Sequence, residues 1–164
     1  MKYTLSILVE NQPGVLSKVS GLFSRRGFNI DSLAVGETEN PDVSRITIVV
    51  DGDEYIVEQV EKQLNKLVNV IKVKNLTELG NFLSAELAMI KVNCPQKQRP
   101  EIMSIAQLTG AKVVDVSPTA ITLELADTPE NVQTFTDLLH PYGIKESVYT
   151  GTIALEKGAG TVQK

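Results

Sequence analysis

Two successive stretches of the chain show the same order of apolar patterns, and this repeat restricts the fold more than any other feature. The first stretch contains six periodic segments, at 3–9, 14–26, 28–35, 43–50, 54–67 and 68–73. The second contains six more, at 84–92, 100–108, 111–116, 119–125, 128–139 and 143–155. Both have the order strand, helix, strand, strand, helix, strand. The sequence therefore predicts an α+β protein of two tandem ferredoxin-like βαββαβ domains, each with two helices on one face of a four-stranded antiparallel sheet.

The periodic segments also place the domain boundaries. We expect a first domain at 1–76, a linker at 77–83, a second domain at 84–157 and a flexible tail at 158–164. The tail contains Gly158 and Gly160 and has no apolar stripe, which favours mobility. Gly151 predicts a bulge or bend in the last strand, and Asp51 with Glu54 has the form of a capping box for the second helix.

The first strand runs through a short polar loop directly into an amphipathic helix. The loop has the sequence Glu10-Asn11-Gln12-Pro13-Gly14. The helix presents one apolar stripe, formed by Val15, Val19, Leu22 and Phe23. The first amides of a helix have no intrahelical partner and together carry roughly half a positive charge, so they attract carboxylates. A glycine at the helix start lets a ligand approach the backbone closely. This stretch predicts a small anion pocket suited to the carboxylate of a free amino acid.

The second domain has a different loop at the corresponding place. Its sequence is Asn93-Cys94-Pro95-Gln96-Lys97, with no glycine where the helix begins. We therefore expect the first domain to bind a ligand at this position and the second domain not to.

Composition excludes several classes of protein. The formal net charge is −4, and the 16 lysines and arginines are scattered, which argues against a nucleic-acid partner. No apolar run is long enough for a membrane span and no signal peptide is present, so a cytoplasmic location is expected. The single cysteine, Cys94, and the single histidine, His140, form no catalytic or metal-binding motif. The sequence therefore predicts no catalytic residues and no metal site.

A βαββαβ pattern with this first loop resembles the ACT domain, the module that senses small molecules in amino-acid metabolism. The resemblance is more specific than the module, and it includes residues 8–11, 14–17, 21–33 and 44–45. These segments are similar to the small regulatory subunit of acetolactate synthase, also called acetohydroxyacid synthase. In the second domain, the resemblance rests on the order of strands and helices and on residues 114–116.

The resemblance implies a non-catalytic regulatory subunit. It would bind and activate the catalytic large subunit of acetolactate synthase and confer feedback inhibition by valine in branched-chain amino acid biosynthesis. Thiamine diphosphate, magnesium and FAD would be bound by the catalytic subunit and not by this chain. The small subunit would form a homodimer, which would also cover an open sheet edge.

In that family the effector lies between two ACT domains. Carried over by resemblance, one copy would contribute Asn11, Gln12, Pro13, Gly14, Val15 and Leu16, and its partner would contribute Asn29 and Ile30. Backbone amides at 14–16 would hold the carboxylate, the two asparagine oxygens would accept from the ammonium, and the apolar side chains would line the isopropyl group. Structural alternatives remain open: Asn11 as a helix cap, Asn29 as a turn residue and Ile30 as a core residue.

Two other functions compete with this hypothesis. A free-standing amino-acid sensor could act on another enzyme or on gene expression, but the sequence has no helix-turn-helix motif or basic patch. A small enzyme of the same architecture would need an acid–base or nucleophilic set, which the sequence does not supply. The valine specificity rests on the resemblance alone, because a hydrophobic pocket separates neighbouring aliphatic side chains by only about 1–3 kcal/mol per methylene.

Overall fold

Each half of the chain forms an antiparallel sheet covered by two helices, which confirms the predicted fold class. The computed structural model describes residues 1–162. In the first half the elements are β1 (Lys2–Glu10), α1 (Val15–Arg25), β2 (Asn29–Glu37), β3 (Val43–Asp51), α2 (Glu54–Asn65) and β4 (Val70–Asn75). The strand order across the sheet is β2-β3-β1-β4, so β1 and β3 lie in the centre.

The core of the first half lies between this sheet and its helices. Alternate residues of β1 point inward, namely Tyr3, Leu5, Ile7 and Val9, and each is at most 8% exposed. They pack against alternate residues of β3 and the apolar stripes of both helices. The buried residues of α1 are the four that the periodicity predicts. Burying each large aliphatic side chain stabilises the fold by roughly 1.5–3 kcal/mol.

The capping box predicted for α2 is wrong in one residue. Asp53 is the N-cap, and its carboxylate accepts the N–H of Ile56 at 2.8 Å. Asp51 is still part of β3, where it lies opposite Lys2 of β1. Extended backbone pairing therefore continues to Asp51, and the helix cap follows two residues later.

The second half repeats the plan with a short helix before it. Its elements are α3 (Leu76–Leu79), β5 (Phe82–Asn93), α4 (Arg99–Thr109), β6 (Lys112–Val116), β7 (Ala120–Asp127), α5 (Pro129–Leu139), β8 (Ile144–Tyr149) and β9 (Ile153–Glu156). The sheet has the order β6-β7-β5-β8, and β9 pairs separately with β5. Thr128 caps α5 as predicted, with Pro129 as the first helical residue. Within residues 1–162, every helix is too short or too polar to cross a membrane.

The end of the chain departs from the predicted boundaries. The segment 143–155 forms two strands and not one, because Gly151 has a left-handed φ of 83° and turns the chain between β8 and β9. The first compact unit comprises residues 1–84 and the chain end from Thr152, and the second comprises Ala85–Gly151. Contacts therefore group residues 152–157 with the first unit, whereas the periodic pattern assigns them to the second domain, and the domain bounds stay a prediction. The predicted flexibility of 158–164 stays a prediction, and residues 163–164 lie outside the described part.

The returning end is attached to the first sheet by polar contacts. The backbone N–H of Thr152 donates to Ser32 Oγ at 2.7 Å, and Arg45 Nη1 donates to the carbonyl of Ala154 at 3.4 Å. Lys74 Nζ lies 2.7 Å from Glu156 Oε2 and donates to the carbonyl of Thr161 at 2.9 Å. The side chains of the Lys74–Glu156 pair are 19% and 16% exposed. This ion pair is therefore shielded from solvent and holds the chain end in place.

Substitution of Lys74 tests the importance of this pair. We expect Lys74→Ala to destabilise the first unit by about 2 kcal/mol, because it leaves the Glu156 carboxylate shielded and without its cation. Lys62→Ala is the matched control, since Lys62 Nζ lies 3.0 Å from Glu58 with both side chains more than half exposed. Its cost should be at most about 0.5 kcal/mol. Amide hydrogen exchange in β1 and β4 measures the stability of both variants. An equal loss of stability in Lys74→Ala and Lys62→Ala would contradict a stabilising role for the Lys74–Glu156 pair.

Candidate functional site

The first turn of α1 offers backbone amides that no side chain covers. Gly14 occupies the N-cap position with a left-handed φ of 83°, and no side chain in the described part of the chain caps the helix. The Val15 N–H makes a long contact of 3.4 Å with the carbonyl of Gln12, and the Lys18 N–H donates to Gly14 at 3.1 Å. Between them, the amides of Leu16 and Ser17 have no acceptor among the described residues. The helix therefore begins with free donors and a partial positive charge.

Asn11 holds this loop against the turn between β2 and β3. Its Nδ2 donates to Glu37 Oε1 at 3.1 Å and to the carbonyl of Pro41 at 2.9 Å. Its backbone N–H donates to the carbonyl of Asp42 at 2.8 Å. Asn11 is therefore not a helix cap, which removes that alternative. Its donor is used within the protein, while Oδ1 accepts no hydrogen bond from the described residues.

A second polar network fixes the other side of the loop. The backbone N–H of Glu10 donates to the carbonyl of Asn69 at 2.9 Å. The Asn69 side chain donates to Glu10 Oε2 and accepts from Lys18 Nζ, each at 3.2 Å. Both ends of the loop are thus tied to neighbouring segments, so the free amides are presented by a fixed backbone.

The remaining loop residues differ in exposure. Gln12, Pro13 and Gly14 are exposed, and Leu16 is 43% exposed. Val15 is only 4% exposed, because it belongs to the core stripe of α1. Of the two apolar side chains predicted to line the ligand from this segment, the structure presents Leu16 to solvent and buries Val15.

Asn29 and Ile30 lie at the opposite end of the same sheet. Asn29 pairs with Asp51, which also pairs with Lys2 at the start of β1. Asn11 follows the other end of β1, about 27 Å away along a strand of nine residues. The Asn29 Nδ2 donates to Asp31 Oδ1 at 2.9 Å, and Ile30 is partly buried against the core. A single chain therefore does not bring the two predicted halves of the site together.

The second unit has no comparable site at the corresponding loop. There the chain forms a short 3₁₀ turn (Gln96–Gln98), and Gln98 precedes α4 with a negative φ of −94°. Cys94 is fully buried, and Arg99 Nη2 donates to the carbonyl of Ser117 at 3.1 Å. The arginine side chain ties this loop to the turn before β7. In residues 1–162 no group of His, Cys, Asp and Glu side chains is placed to hold a metal ion.

Sequence reasoning missed the residues that support the loop. Glu37, Pro41 and Asp42 contact Asn11, and Asn69 contacts Glu10, from segments that are 26 to 59 residues away in sequence. Such pairs follow from the strand order, which places the ends of β1 and β2 and the starts of β3 and β4 at one end of the sheet. No local motif marks them.

Asn11→Asp tests whether the amide donor holds the loop. The variant replaces the amide donor with a carboxylate, which then faces the Glu37 carboxylate and the Pro41 carbonyl. We therefore expect the free energy of unfolding to fall by about 1 kcal/mol and amide exchange at residues 10–15 to become faster. Asn40→Asp is the control, because Asn40 Oδ1 acts as an acceptor for the Asp42 N–H and a carboxylate preserves that role. Hydrogen exchange by NMR compares the two. Unchanged protection in Asn11→Asp would show that the side chain does not fix the loop.

Comparison with known proteins identifies the family. Residues 5–72 match the model of the AHAS (acetohydroxyacid synthase) small subunit-like ACT domain, and residues 85–158 match the model of the small subunit of acetolactate synthase. A probable acetolactate synthase small subunit of Archaeoglobus fulgidus is 49% identical over 158 residues, covering 96% of this chain and 98% of the relative. The acetolactate synthase small subunit of Mycolicibacterium smegmatis is 51% identical over 156 residues, covering 95% and 91%.

A solved structure agrees with these matches. The crystal structure of the acetolactate synthase small subunit from Thermotoga maritima is 39% identical and gives a TM-score of 0.88, covering 98% of this chain and 99% of that one. Both halves of the chain match models of the same family, and the two relatives align with nearly the whole chain. These findings agree on one family. The chain belongs to the family of acetolactate synthase small subunits, and it is a regulatory subunit with an ACT domain, not a catalytic one.

Proposed function

We propose that this chain binds the catalytic large subunit of acetolactate synthase, raises its activity and makes it sensitive to inhibition by valine. The observation that carries the proposal is the first turn of α1, where Gly14 leaves two amides free on a loop tied at both ends. The relatives are named as small subunits of the same enzyme, which supports the large subunit as the partner. Thiamine diphosphate, magnesium and FAD would then be bound by the large subunit.

A free amino acid fits the donors and acceptors of this loop. Its carboxylate would accept from the amides of Leu16 and Ser17, where the helix dipole adds a favourable interaction. Its ammonium would donate to Asn11 Oδ1, which the protein leaves without a donor in the described residues. Leu16 supplies exposed apolar surface for an aliphatic side chain. The loop therefore provides a separate contact for each part of valine.

Two copies of the chain would complete the site. β2 is an edge strand, and a two-fold axis beside it would pair the β2 strands of two copies in opposite directions. The end of β2 in one copy would then lie beside the start of β2 in its partner. Glu37 ends β2 and contacts Asn11, whereas Asn29 starts it. Antiparallel pairing thus brings the partner's Asn29 and Ile30 towards the loop, which one chain alone cannot do.

The surface of β2 supports pairing between copies. Leu33 and Val35 are 36% and 47% exposed, and they lie opposite Ile48 and Ile46 of β3 on the apolar face of the sheet. An exposed edge strand with large apolar side chains is prone to pair with another strand. A homodimer formed through β2 would cover both side chains.

Inhibition would follow from a shift between arrangements of the regulatory dimer. Valine bound between two copies would stabilise the arrangement that holds the loop of one copy close to β2 of the other. The effector alters the activity of the large subunit only to the extent that the two arrangements bind that subunit differently.

Calorimetric titration with valine tests the pocket through Gly14. Gly14→Ala should weaken binding modestly, since a Cβ there meets no atom within 4 Å and the cost of about 1 kcal/mol comes from the left-handed φ. Gly14→Asp should abolish binding, because it adds a negative charge beside the ligand carboxylate. Gly110→Asp is the control, with a φ of 78° at the end of α4.

The same variants separate sensing from activation. With the large subunit added, Gly14→Asp should still raise acetolactate formation while losing inhibition by valine. If Gly14→Asp binds valine with the wild-type affinity, the valine carboxylate does not bind at the first turn of α1. Absence of any activation by the wild-type chain would contradict its proposed partnership.

Charged substitutions in β2 test the dimer. We expect Val35→Glu to dissociate the dimer at micromolar concentration, because it buries a carboxylate in the apolar part of the contact. Val114→Glu is the control, since Val114 is 46% exposed on β6, an edge strand of the other sheet. Sedimentation velocity measures the oligomeric state of Val35→Glu and Val114→Glu. Loss of the dimer in Val35→Glu should be accompanied by loss of valine binding. A Val35→Glu dimer as stable as wild type would exclude β2 as the contact.

A further inference from the structure

The end of the described chain crosses the outer face of the first sheet, which is the face turned away from α1 and α2. We call residues 152–162 the strap. Its first part is β9, which lies against β1. Polar contacts anchor it in turn on β2, β3 and β4: Thr152 with Ser32, Ala154 with Arg45, and Glu156 with Lys74. The strap therefore contacts every strand of the sheet.

The face beneath the strap is polar and yet buried. Thr4, Ser6 and Thr47 project from β1 and β3 on this side, and they are only 8%, 1% and 2% exposed. Ser6 lies opposite the anchor residue Lys74 in the β1–β4 pairing, but its Oγ has no hydrogen-bond partner in residues 1–162. A buried hydroxyl without a partner destabilises the state that buries it, because water would otherwise solvate it. Lifting the strap would remove this penalty.

The polarity of β9 and the residue before it is the reverse of what a half-buried strand normally shows. The inward side chains are small, since Thr152 and Ala154 are 6% and 5% exposed. Ile153 and Leu155 alternate with them and are 55% and 57% exposed, although large apolar side chains normally point inward. Further along, the strap also buries Val162. Apolar burial therefore contributes less than usual to closing the strap, and the polar anchors carry much of the attachment.

The Glu156 anchor depends on a close return of the chain. Glu156 Oε2 lies 2.7 Å from Lys74 Nζ. A Cβ placed on Gly160 would come within 2.9 Å of the same oxygen, so a side chain there would collide with the carboxylate. The carboxylate is the end of a flexible side chain, and it would move away from Lys74 before the backbone gave way. A methyl group at Gly160 would thus weaken the anchor without changing any charge.

The first anchor lies at an irregular point of an edge strand. The pairing of β2 with β3 shifts register between Ile30 and Ser32. Directly after this bulge, Ser32 Oγ accepts the N–H of Thr152 at 2.7 Å. A bulge bends a strand and redirects its side chains, so the direction of the Ser32 side chain depends on how β2 is held. Since β2 is the outermost strand, a second copy paired with it would hold it from both sides.

We propose that the strap opens from the first sheet and that pairing of β2 with a second copy favours the closed form. Opening admits water to Ser6 Oγ and separates Glu156 from Lys74. Paired β2 strands keep Ser32 in position to accept from Thr152, which stabilises the closed strap. By linkage, a closed strap favours the dimer to the same extent. The coupling rests on the dimer proposed above, whereas the opening does not.

Thiol labelling of the full-length chain tests the opening. Ser6→Cys places a thiol beneath the strap, and Ser44→Cys places one on the helix-covered face of the same sheet, where Ser44 is 6% exposed. Cys94, which is fully buried in the second unit, is a further reference in both variants. Iodoacetamide labelling, read by mass spectrometry, should be about tenfold faster at residue 6 than at residue 44, because only the strap has to open. Labelling at residue 6 that is no faster than at residue 44 would overturn the opening, since static exposure alone predicts that order.

Two substitutions loosen the anchors in the Ser6→Cys chain. Gly160→Ala displaces Glu156 from Lys74 and should speed labelling at residue 6 about tenfold. Ser32→Ala removes the acceptor for the Thr152 N–H and should speed it about fivefold. Gly21→Ala is the control, because it adds the same methyl group in α1, where a Cβ would meet Arg25 Nη1 at 3.8 Å. Rates that stay unchanged in both anchor variants would overturn the proposal.

Val35→Glu in the Ser6→Cys chain tests the coupling, with Val114→Glu as the control and sedimentation velocity on the same samples. The monomeric Val35→Glu chain should be labelled at residue 6 about fivefold faster than the dimer, and the control should be unchanged. A Val35→Glu monomer with an unchanged labelling rate would overturn the coupling and leave the dimer intact as a proposal. A Val35→Glu chain that remains dimeric would overturn the β2 contact and the coupling with it, while the order of labelling at residues 6 and 44 still decides the opening.

Discussion

The hydrogen-bond ladder along β1 determines the position of every functional feature in the first unit. β1 pairs with β3 on one side and with β4 on the other, and its inward residues form the centre of the core. Its end leads into the loop before α1, and its start pairs with the end of β3. Since β2 runs parallel to β1 across β3, the start of β2 and the end of β1 are held at opposite ends of the sheet. A site that uses both ends requires a second copy of the chain.

The two units share one fold but differ at the loop where we propose that the first unit binds its effector. In the first unit a glycine with positive φ begins α1, and the neighbouring amides stay free. In the second unit a 3₁₀ turn precedes α4, and Arg99 ties the corresponding loop to the turn before β7. The core patterns are the same, so the difference between the two loops comes from a few residues. A regulatory protein can thus carry a ligand site on one copy of a repeated fold and keep the other copy for a different role.

The sequence predicts most of the fold because each element carries its own periodic pattern. The stripe of α1, the cap of α5 and the strand order follow from local residues and from the rules for split βαβ units. The attachment of the chain end could not be predicted, because Lys74 and Glu156 are 82 residues apart and neither lies in a distinctive motif. The loop itself was predictable from Pro13 and Gly14. The contacts of Asn11 with Glu37 and Pro41 were not predictable, because they depend on how the ends of β1 and β2 and the start of β3 meet.

Mixed dimers provide the most direct test of a valine site shared between two copies. One chain carries Gly14→Asp, which blocks its loop, and the other carries Asn29→Ala, which removes the contribution of its β2. In a mixed dimer, one shared site has both defects and the other has none. Calorimetry of purified mixed dimers should therefore give one valine bound per dimer with the wild-type affinity, although each parent dimer binds weakly or not at all. Mixed dimers that fail to bind would show that each site lies within a single chain and would contradict the account.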